Sequence, residues 1–505
     1  MNPAHWLDRT ARLNPEAPAI FEGTQLVCDY ATFARQAASL ARALVRDYAI
    51  QPGDRVAIFM KNRPEYLVVL YAIWWAGAVA VPINAKLHPQ EAAWMLDDCG
   101  ARVLVGDGDT VIPTLGHVTG SKITGLDVTG TDYRDHLSRT PVSGPVDRCV
   151  GDLSWLFYTS GTTGRPKGAM ISCGNILAMT QTYLVDVDQV ETGEAILYAA
   201  PMSHGAGLYN FIHVLRAGRH VLPASGGFDP DEIAQLAPVF GSVSLFAAPT
   251  MVRRLVSQAA ISGYDGTGLK TVIYGGGPMY TADIEEAVEV LGARFVQIYG
   301  QGECPMTITV LPRETVADRT HPRWRERLGS VGVAQSSVSV RVVDEFGAPL
   351  SAGHVGGVEV KGAPVMLGYW ENPDATKSAI RDGWLATGDR GELDEDGYLT
   401  LKDRSRDVII SGGSNIYPRE VEEVLLRHPS VSEVSVIGVP DAEWGEIVVA
   451  YIVPVAGRIV EQASLDTHCL ASLARFKRPK RYIALSELPK NAYGKVLKTT
   501  LRARK

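Results

Sequence analysis

Residues 153–168 read LSWLFYTSGTTGRPKG. The apolar run Leu153–Phe157 has the length and character of a buried strand. It passes directly into a loop of Ser, Thr and Gly that closes on Lys167. Bare glycine backbone lets N–H groups approach a phosphate, hydroxyls add donors, and the lysine adds charge. A Walker A loop would carry Gly just before the lysine and Ser or Thr just after it. Here Pro166 and Gly168 stand in those places.

Outward from this stretch, short apolar strands alternate with helical patterns. Arg55–Met60, Ala78–Ile83 and Arg102–Val105 read as strands, and Thr32–Leu44, Pro64–Ala76 and Asp231–Ala237 as helices. This βαβ alternation predicts mostly parallel sheets covered by helices. Near residue 330 the texture changes to shorter strands with hairpins, at Val338–Val343, Val355–Lys361 and Gly391–Lys402, with Asp396-Gly397 as the turn. After Arg404 a compact α+β pattern follows. The fold class is therefore α/β: a large N-terminal domain of mostly parallel sheets with a small barrel-like β part, then a small α+β domain. A boundary at Lys402–Asp407 divides residues 1–403 from residues 404–505.

Composition narrows the function. The 505 residues hold 49 Lys and Arg against 56 Asp and Glu, a net charge of −7, with 46% apolar and 21% charged residues. That balance excludes broad disorder and a nucleic-acid surface. The charge is uneven: Arg475–Lys505 carries 11 Lys and Arg against Glu487 alone, a local net of +10. Such a segment is either a solvated tail or the seat of an anion. The six cysteines form no CxxC pair, so neither a zinc site nor a disulfide scaffold is expected. No signal peptide is read at the N-terminus. The uncharged stretch Tyr66–Ala85 is divided by Gly77 and Pro82, which favours a buried helix feeding a buried strand over a membrane span. A soluble, reducing, cytoplasmic setting is expected.

Further polar islands follow predicted strands. YGGGPM (274–279) presents bare backbone suited to a flat ring. In YGQGE (299–303), Tyr299 suits stacking on a base and Glu303 suits a hard cation such as Mg2+. TGD (387–389) is read as a turn that places a carboxylate suited to a ribose diol. Taken singly, each island is more simply an ordinary turn.

Together and in order, eight segments resemble the acyl-adenylate-forming superfamily, which includes AMP-forming acyl-CoA synthetases, peptide-synthetase adenylation domains and firefly luciferase. They are YTSGTTGRPKG (158–168), PMSHGAG (201–207), YGGGPM (274–279), YGQGE (299–303), YWENPDAT (369–376), WLATGD (384–389), KDRSRDVIISGGSNIYPREVE (402–422) and PKNAYGKVLK (489–498). The C-terminal run is similar to fatty-acyl and aryl-CoA ligases.

The resemblance implies an acid–thiol ligase that uses ATP, Mg2+ and coenzyme A. It would form an acyl-AMP and pyrophosphate, then an acyl-CoA and AMP. Thr159, Ser160, Gly161, Thr162, Thr163, Gly164 and Lys167 would hold the β- and γ-phosphates. Gly276, Gly277 and Pro278 would face one side of adenine and Tyr299 the other, with Gly300 and Gln301 beside it. Glu303 would bind the metal. Asp389 would take the ribose hydroxyls, and Arg404 would contact ribose or phosphate. Lys495 would bridge the α-phosphate and the substrate carboxylate, turning the basic segment into a landing face for phosphates. Arg406 matches the hinge about which the small domain rotates between steps. Gly412, Gly413, Trp444, Phe476 and Arg478 would contact CoA.

Two positions depart from the pattern. Gly302 stands where Thr is usual, so one donor to the α-phosphate is missing, and Arg406 stands where Asp or Lys is usual. The acyl pocket would be walled by His204, Phe246, Gly275, Gly300 and Pro305, with His204 at its mouth. Leu208 and Tyr209 are further candidates. Small glycines at 275–277 are expected to leave room. Met202–Gly207 holds no Asp for an α-amine, and the wall holds no Arg for a second carboxylate. A medium- or long-chain fatty acid and an aryl or arylpropenoic acid remain. The alternatives are transfer to a separate carrier protein and a luciferase-like oxygenase. No carrier domain is expected after Lys495, and a homodimer is an allowed assembly.

Overall fold

The protein is described from a computed structural model, which covers residues 2–120, 122–159, 166–404, 407–411, 414–441, 444–491 and 496–504, with backbone only at 403, 404, 414 and 415. Among the described residues the strands form four sheets. A six-stranded sheet runs, edge to edge, Thr124–Asp127, Val103–Gly106, Arg55–Phe59, Val79–Pro82, Leu153–Thr159 and Lys167–Ser172. All its neighbours are parallel except the last pair, which is a hairpin.

A nine-stranded sheet lies beside it. Its centre is parallel, from Leu269–Tyr274 through Val243–Ala247, Ala195–Leu197 and Arg219–Leu222 to Pro18–Glu22. The pairing of Pro18–Glu22 with Arg219–Leu222 joins segments some 200 residues apart, a contact no local pattern announces. At the other end, Phe295–Gln301 turns back at Gly302-Glu303 into the antiparallel strand Cys304–Leu311.

The texture change near residue 330 becomes a five-stranded antiparallel sheet, in which Trp384–Leu393 is flanked by Gly356–Gly362 and Leu399–Arg404. The hairpin expected within Gly391–Lys402 is present: its two arms, Trp384–Leu393 and Leu399–Arg404, pair antiparallel on either side of Asp396-Gly397. The fourth sheet, built on the long pair Val431–Asp441 and Gly445–Pro454, starts only at Ile409.

The helix Pro64–Trp75 shows why Tyr66–Ala85 is so apolar. Pro64 opens it, every later residue except Glu65 is buried, and Gly77 at φ 73° turns the chain into the buried strand Val79–Pro82. No helix among the described residues is long and apolar enough to cross a membrane. All six cysteines are unpaired; five are buried and Cys149 is exposed. Burial raises the thiol pKa of each of the five.

The small domain docks on the large one through polar contacts. Arg419, in the helix Pro418–Leu426, donates to Met279 O at 3.0 Å and to Gly329 O at 3.4 Å. Tyr280 OH donates to Glu422 Oε2 at 3.1 Å, and Arg253 donates to Ser432 O at 2.7 Å.

Candidate active site

The strand pair Leu153–Thr159 and Lys167–Ser172 closes with Thr159 directly opposite Lys167. The glycine-rich loop is therefore carried on a two-stranded stem. Ser160, Gly161, Thr162, Thr163 and Gly164 lie outside the described residues. The segment Gly368–Trp370 runs along this stem: Met170 N donates to Gly368 O at 2.9 Å, and Trp370 N donates to Gly168 O at 2.8 Å. Asn175 secures the approach, since its side chain donates to Ala363 O and Val365 O at 2.7 and 2.8 Å.

This arrangement brings Tyr369 beside the turn at Glu303. Tyr369 OH donates to Glu303 Oε1 at 2.8 Å, and Thr159 Oγ1 donates to the same oxygen at 3.0 Å. Lys167 Nζ stands 5.1 Å from the centroid of the Tyr369 ring. Among the described residues no three His, Cys, Asp or Glu side chains converge as a metal cage. A cation at Glu303 would keep most of its shell as water and phosphate oxygens. That fits Mg2+, which is usually bound by one or two carboxylates plus substrate phosphates.

A second cluster lies at the end of the Phe295–Gln301 strand. Tyr299 OH donates to Asp389 Oδ2 at 2.6 Å and Gln301 Nε2 to the same oxygen at 2.7 Å. Gln301 also donates to Thr387 O at 2.9 Å. Thr387–Asp389 is not the turn expected from its sequence. It lies inside the strand Trp384–Leu393, where Gly388 at φ 75° and an irregular register against Gly356–Gly362 bulge the strand. A bulge of this kind re-aims a side chain, here the nearly buried Asp389.

The PMSHGAG segment is held by a residue that sequence reading passed over. Asn62 donates to Tyr198 O at 2.7 Å and Ala200 O at 2.8 Å, and accepts from Met202 N at 2.9 Å. An amide can do this because it carries donors and an acceptor together. His204 then packs at 5.1 Å from the Phe157 ring, and desolvation pushes its pKa down to about 4, against a weaker opposing bond with Ser203 O. It is a neutral imidazole at ordinary pH. Phe246 stacks on Tyr209 at 5.9 Å and reaches toward Gly276, where a Cβ would meet its Cζ at 3.9 Å.

The glycines divide by cause. A Cβ on Gly275 would lie 2.5 Å from Ile298 O, and one on Gly300 would lie 2.5 Å from Met306 N. Glycine at 275 and 300 therefore permits close strand packing, and at 275, where room was expected, the space is taken by Ile298. Gly276 and Gly277 are open, with only Phe246 or Pro249 near. Pro278 is exposed beside them, and Pro305 is buried at the start of Cys304–Leu311.

On the small domain Trp444 and Phe476 are exposed at 41% and 44%, with Lys480 over the first ring and Lys477 over the second. Arg478 is paired with Asp466 at 2.6 Å. Arg406, Gly412, Gly413, Lys495 and the side chain of Arg404 lie outside the described residues.

Residues 7–370 match the family model described as AMP-binding enzyme, and residues 420–495 match the one described as AMP-binding enzyme C-terminal domain. A feruloyl-CoA synthase of Amycolatopsis sp is 36% identical over 99% of this chain and 98% of its own. The fatty acid–[acyl-carrier-protein] ligase ScoC of Streptomyces coeruleorubidus is 33% identical over 98% of this chain and 94% of its own. Among solved structures, ATP-bound MatB from Rhodopseudomonas palustris superposes with a TM-score of 0.89 at 31% identity, covering 99% of this chain and 98% of that one. The chain belongs to the AMP-binding enzyme family, among its AMP-forming acyl-CoA synthetases.

Proposed function

We propose that the chain activates an uncharged-tail carboxylic acid with ATP and passes the acyl group to coenzyme A. The observation that carries this reading is the convergence of Lys167, Thr159 and Glu303 at one end of a site whose other end is Tyr299, Gln301 and Asp389. The first group suits a polyphosphate and the second a ribose.

In the first step a carboxylate oxygen attacks the α-phosphorus and the bond to pyrophosphate breaks. Two anions approach each other, so positive charge must meet them. Lys167 and the loop 159–164 hold the β- and γ-phosphates. Lys495 reaches from the small domain to the α-phosphate and the substrate carboxylate. Mg2+, held by Glu303, supplies charge neutralisation at the phosphates when bound. Asp389 accepts from the ribose hydroxyls, fixed by Tyr299 and Gln301, and Arg404 supports it. Tyr299 and Gly276–Pro278 flank the adenine. In the second step the small domain turns about Arg406, Gly412 and Gly413 line the thiol's path, and the CoA sulfur attacks the acyl carbon as AMP leaves. Trp444, Phe476 and Arg478 receive the CoA nucleotide, with Arg478 exchanging Asp466 for phosphate. No protein thiol takes part.

The acyl pocket is aromatic and neutral: Phe157 with His204, and Phe246 with Tyr209. It suits an aryl or arylpropenoic acid, and the resemblance to feruloyl-CoA synthase supports this. A medium- or long-chain fatty acid is the second reading. The similarity to ScoC keeps a separate carrier protein as an alternative acceptor. The cytoplasm, where ATP and CoA are both supplied, is the proposed setting.

The test is a panel of carboxylic acids read by pyrophosphate release and thioester formation with CoA present. AMP, pyrophosphate and a CoA thioester are expected, best with aryl acids. ADP in place of AMP would sink the adenylation reading. Lys495→Ala should abolish acyl-AMP formation while largely sparing thioester formation from supplied acyl-AMP.

A further inference from the structure

Tyr369 lies between Lys167 and Glu303 and touches both. Its hydroxyl donates to Glu303 Oε1, the oxygen that also accepts from Thr159, and its ring face lies under the Lys167 ammonium. Its backbone is held as well. Tyr369 N donates to Thr376 Oγ1 at 2.8 Å, and its neighbours Gly368 and Trp370 bond to the loop stem on either side. The side chain therefore has little freedom to follow a ligand. Its partners must settle around it.

We infer that Tyr369 is a positioning residue that sets a divalent cation and Lys167 at a fixed spacing along one phosphate chain. With Thr159 it occupies Oε1 of Glu303, so Oε2, to which no described residue donates, is the oxygen turned to the cation. The ring, whose face carries negative potential, holds the lysine beside it. The inference rests on the proposed reading of Glu303 as the cation's ligand. An outer partner of this kind commonly changes metal affinity by about 10–100-fold when removed.

Mn2+ serves as the probe. Its affinity is measured by electron paramagnetic resonance in the presence of α,β-methylene-ATP, and the affinity for that analogue is measured separately without divalent cation. Tyr369→Phe keeps the ring and deletes the donor. It should weaken Mn2+ about tenfold and leave the cation-free affinity for the analogue unchanged. Tyr369→Leu removes the ring as well and should weaken both. Thr159→Val removes the other donor to Oε1 and should also weaken Mn2+, which keeps the inference testable if a Tyr369 variant fails to fold. Wild-type Mn2+ affinity in Tyr369→Phe, with Glu303→Gln weakened, overturns the role of Tyr369 and leaves Glu303 as the ligand. Unchanged Mn2+ affinity in Glu303→Gln removes the cation reading itself, and the inference with it.

Discussion

Thr159 fills the space beside Gly302. A Cβ at Gly302 would lie 2.2 Å from Thr159 Cγ2 and 2.8 Å from Phe157 Cδ1. The sequence motif suggested a hydroxyl lost at this point. A threonine hydroxyl does stand beside Glu303, together with that of Tyr369, but it comes from the loop stem: Thr159 Oγ1, at 3.0 Å from Glu303 Oε1. The two positions are a matched pair.

Restoring the usual residue should therefore harm this enzyme. Gly302→Thr overpacks the contact, at a cost of about 1–3 kcal/mol, and displaces Thr159 from Glu303. ATP–pyrophosphate exchange is expected to fall about tenfold. Adding Thr159→Ser, which removes the clashing methyl, should recover part of the loss. A double variant no better than the single one would show that the contact is not the cause.

The ribose end should respond in binding more than in turnover. Tyr299→Phe keeps the ring and deletes one of the two donors to Asp389 Oδ2 among the described residues. A hydrogen bond to a charged group is worth about 1.5–3 kcal/mol, and Gln301 compensates for part of it. Steady-state kinetics should show KM for ATP raised about tenfold with kcat little changed.

Acid should weaken the fold through buried histidines. Desolvation puts the folded pKa of His213 at about 4, below its ordinary 6.5, and shifts the fully buried His220 well downward. The unfolded chain takes up protons that the folded one refuses. Stability present above pH 6.5 is thus lost as pH falls toward 4. For His213 alone the loss between pH 7 and 5 is about 2 kcal/mol. Asp283 and Glu423, whose carboxyls burial pushes up, act in the opposite sense at lower pH. Melting temperatures scanned across this range should fall, and His213→Gln should flatten the slope. An identical slope in the variant would show that His213 titrates normally.

Docking of the small domain should couple to adenylation. Arg419 bonds Met279 O, directly after the segment proposed to face adenine, and Tyr280 bonds Glu422. Arg419→Ala with Tyr280→Phe should slow acyl-AMP formation several-fold, while thioester formation from supplied acyl-AMP changes less. Single-turnover measurement of each half-reaction decides it, and an equal effect on both would separate docking from adenylation.

Much of the fold was legible because its strands and helices carry local signals. Val338–Val343 falls where its alternation places it, and Pro64 starts the helix it marks. Glu303 and Asp389 could be singled out because a carboxylate in a glycine-rich island is conspicuous. What joins them could not. Tyr369 and Glu303 are 66 residues apart and meet only because a third segment, the loop stem, aligns them. Asn62 lies 140 residues from Met202 and looks like any loop asparagine. The bulge at Gly388 depends on register against another strand, which no single strand encodes.

The cysteines offer a practical handle. Five thiols are buried with raised pKa, and Cys149 alone is exposed. A maleimide dye should therefore attach at one place without prior removal of native cysteines. Cys149 lies just before the strand Leu153–Thr159, on the large domain. A second cysteine introduced on the small domain would give a donor–acceptor pair, and the distance between the dyes would test the proposed rotation of that domain during turnover.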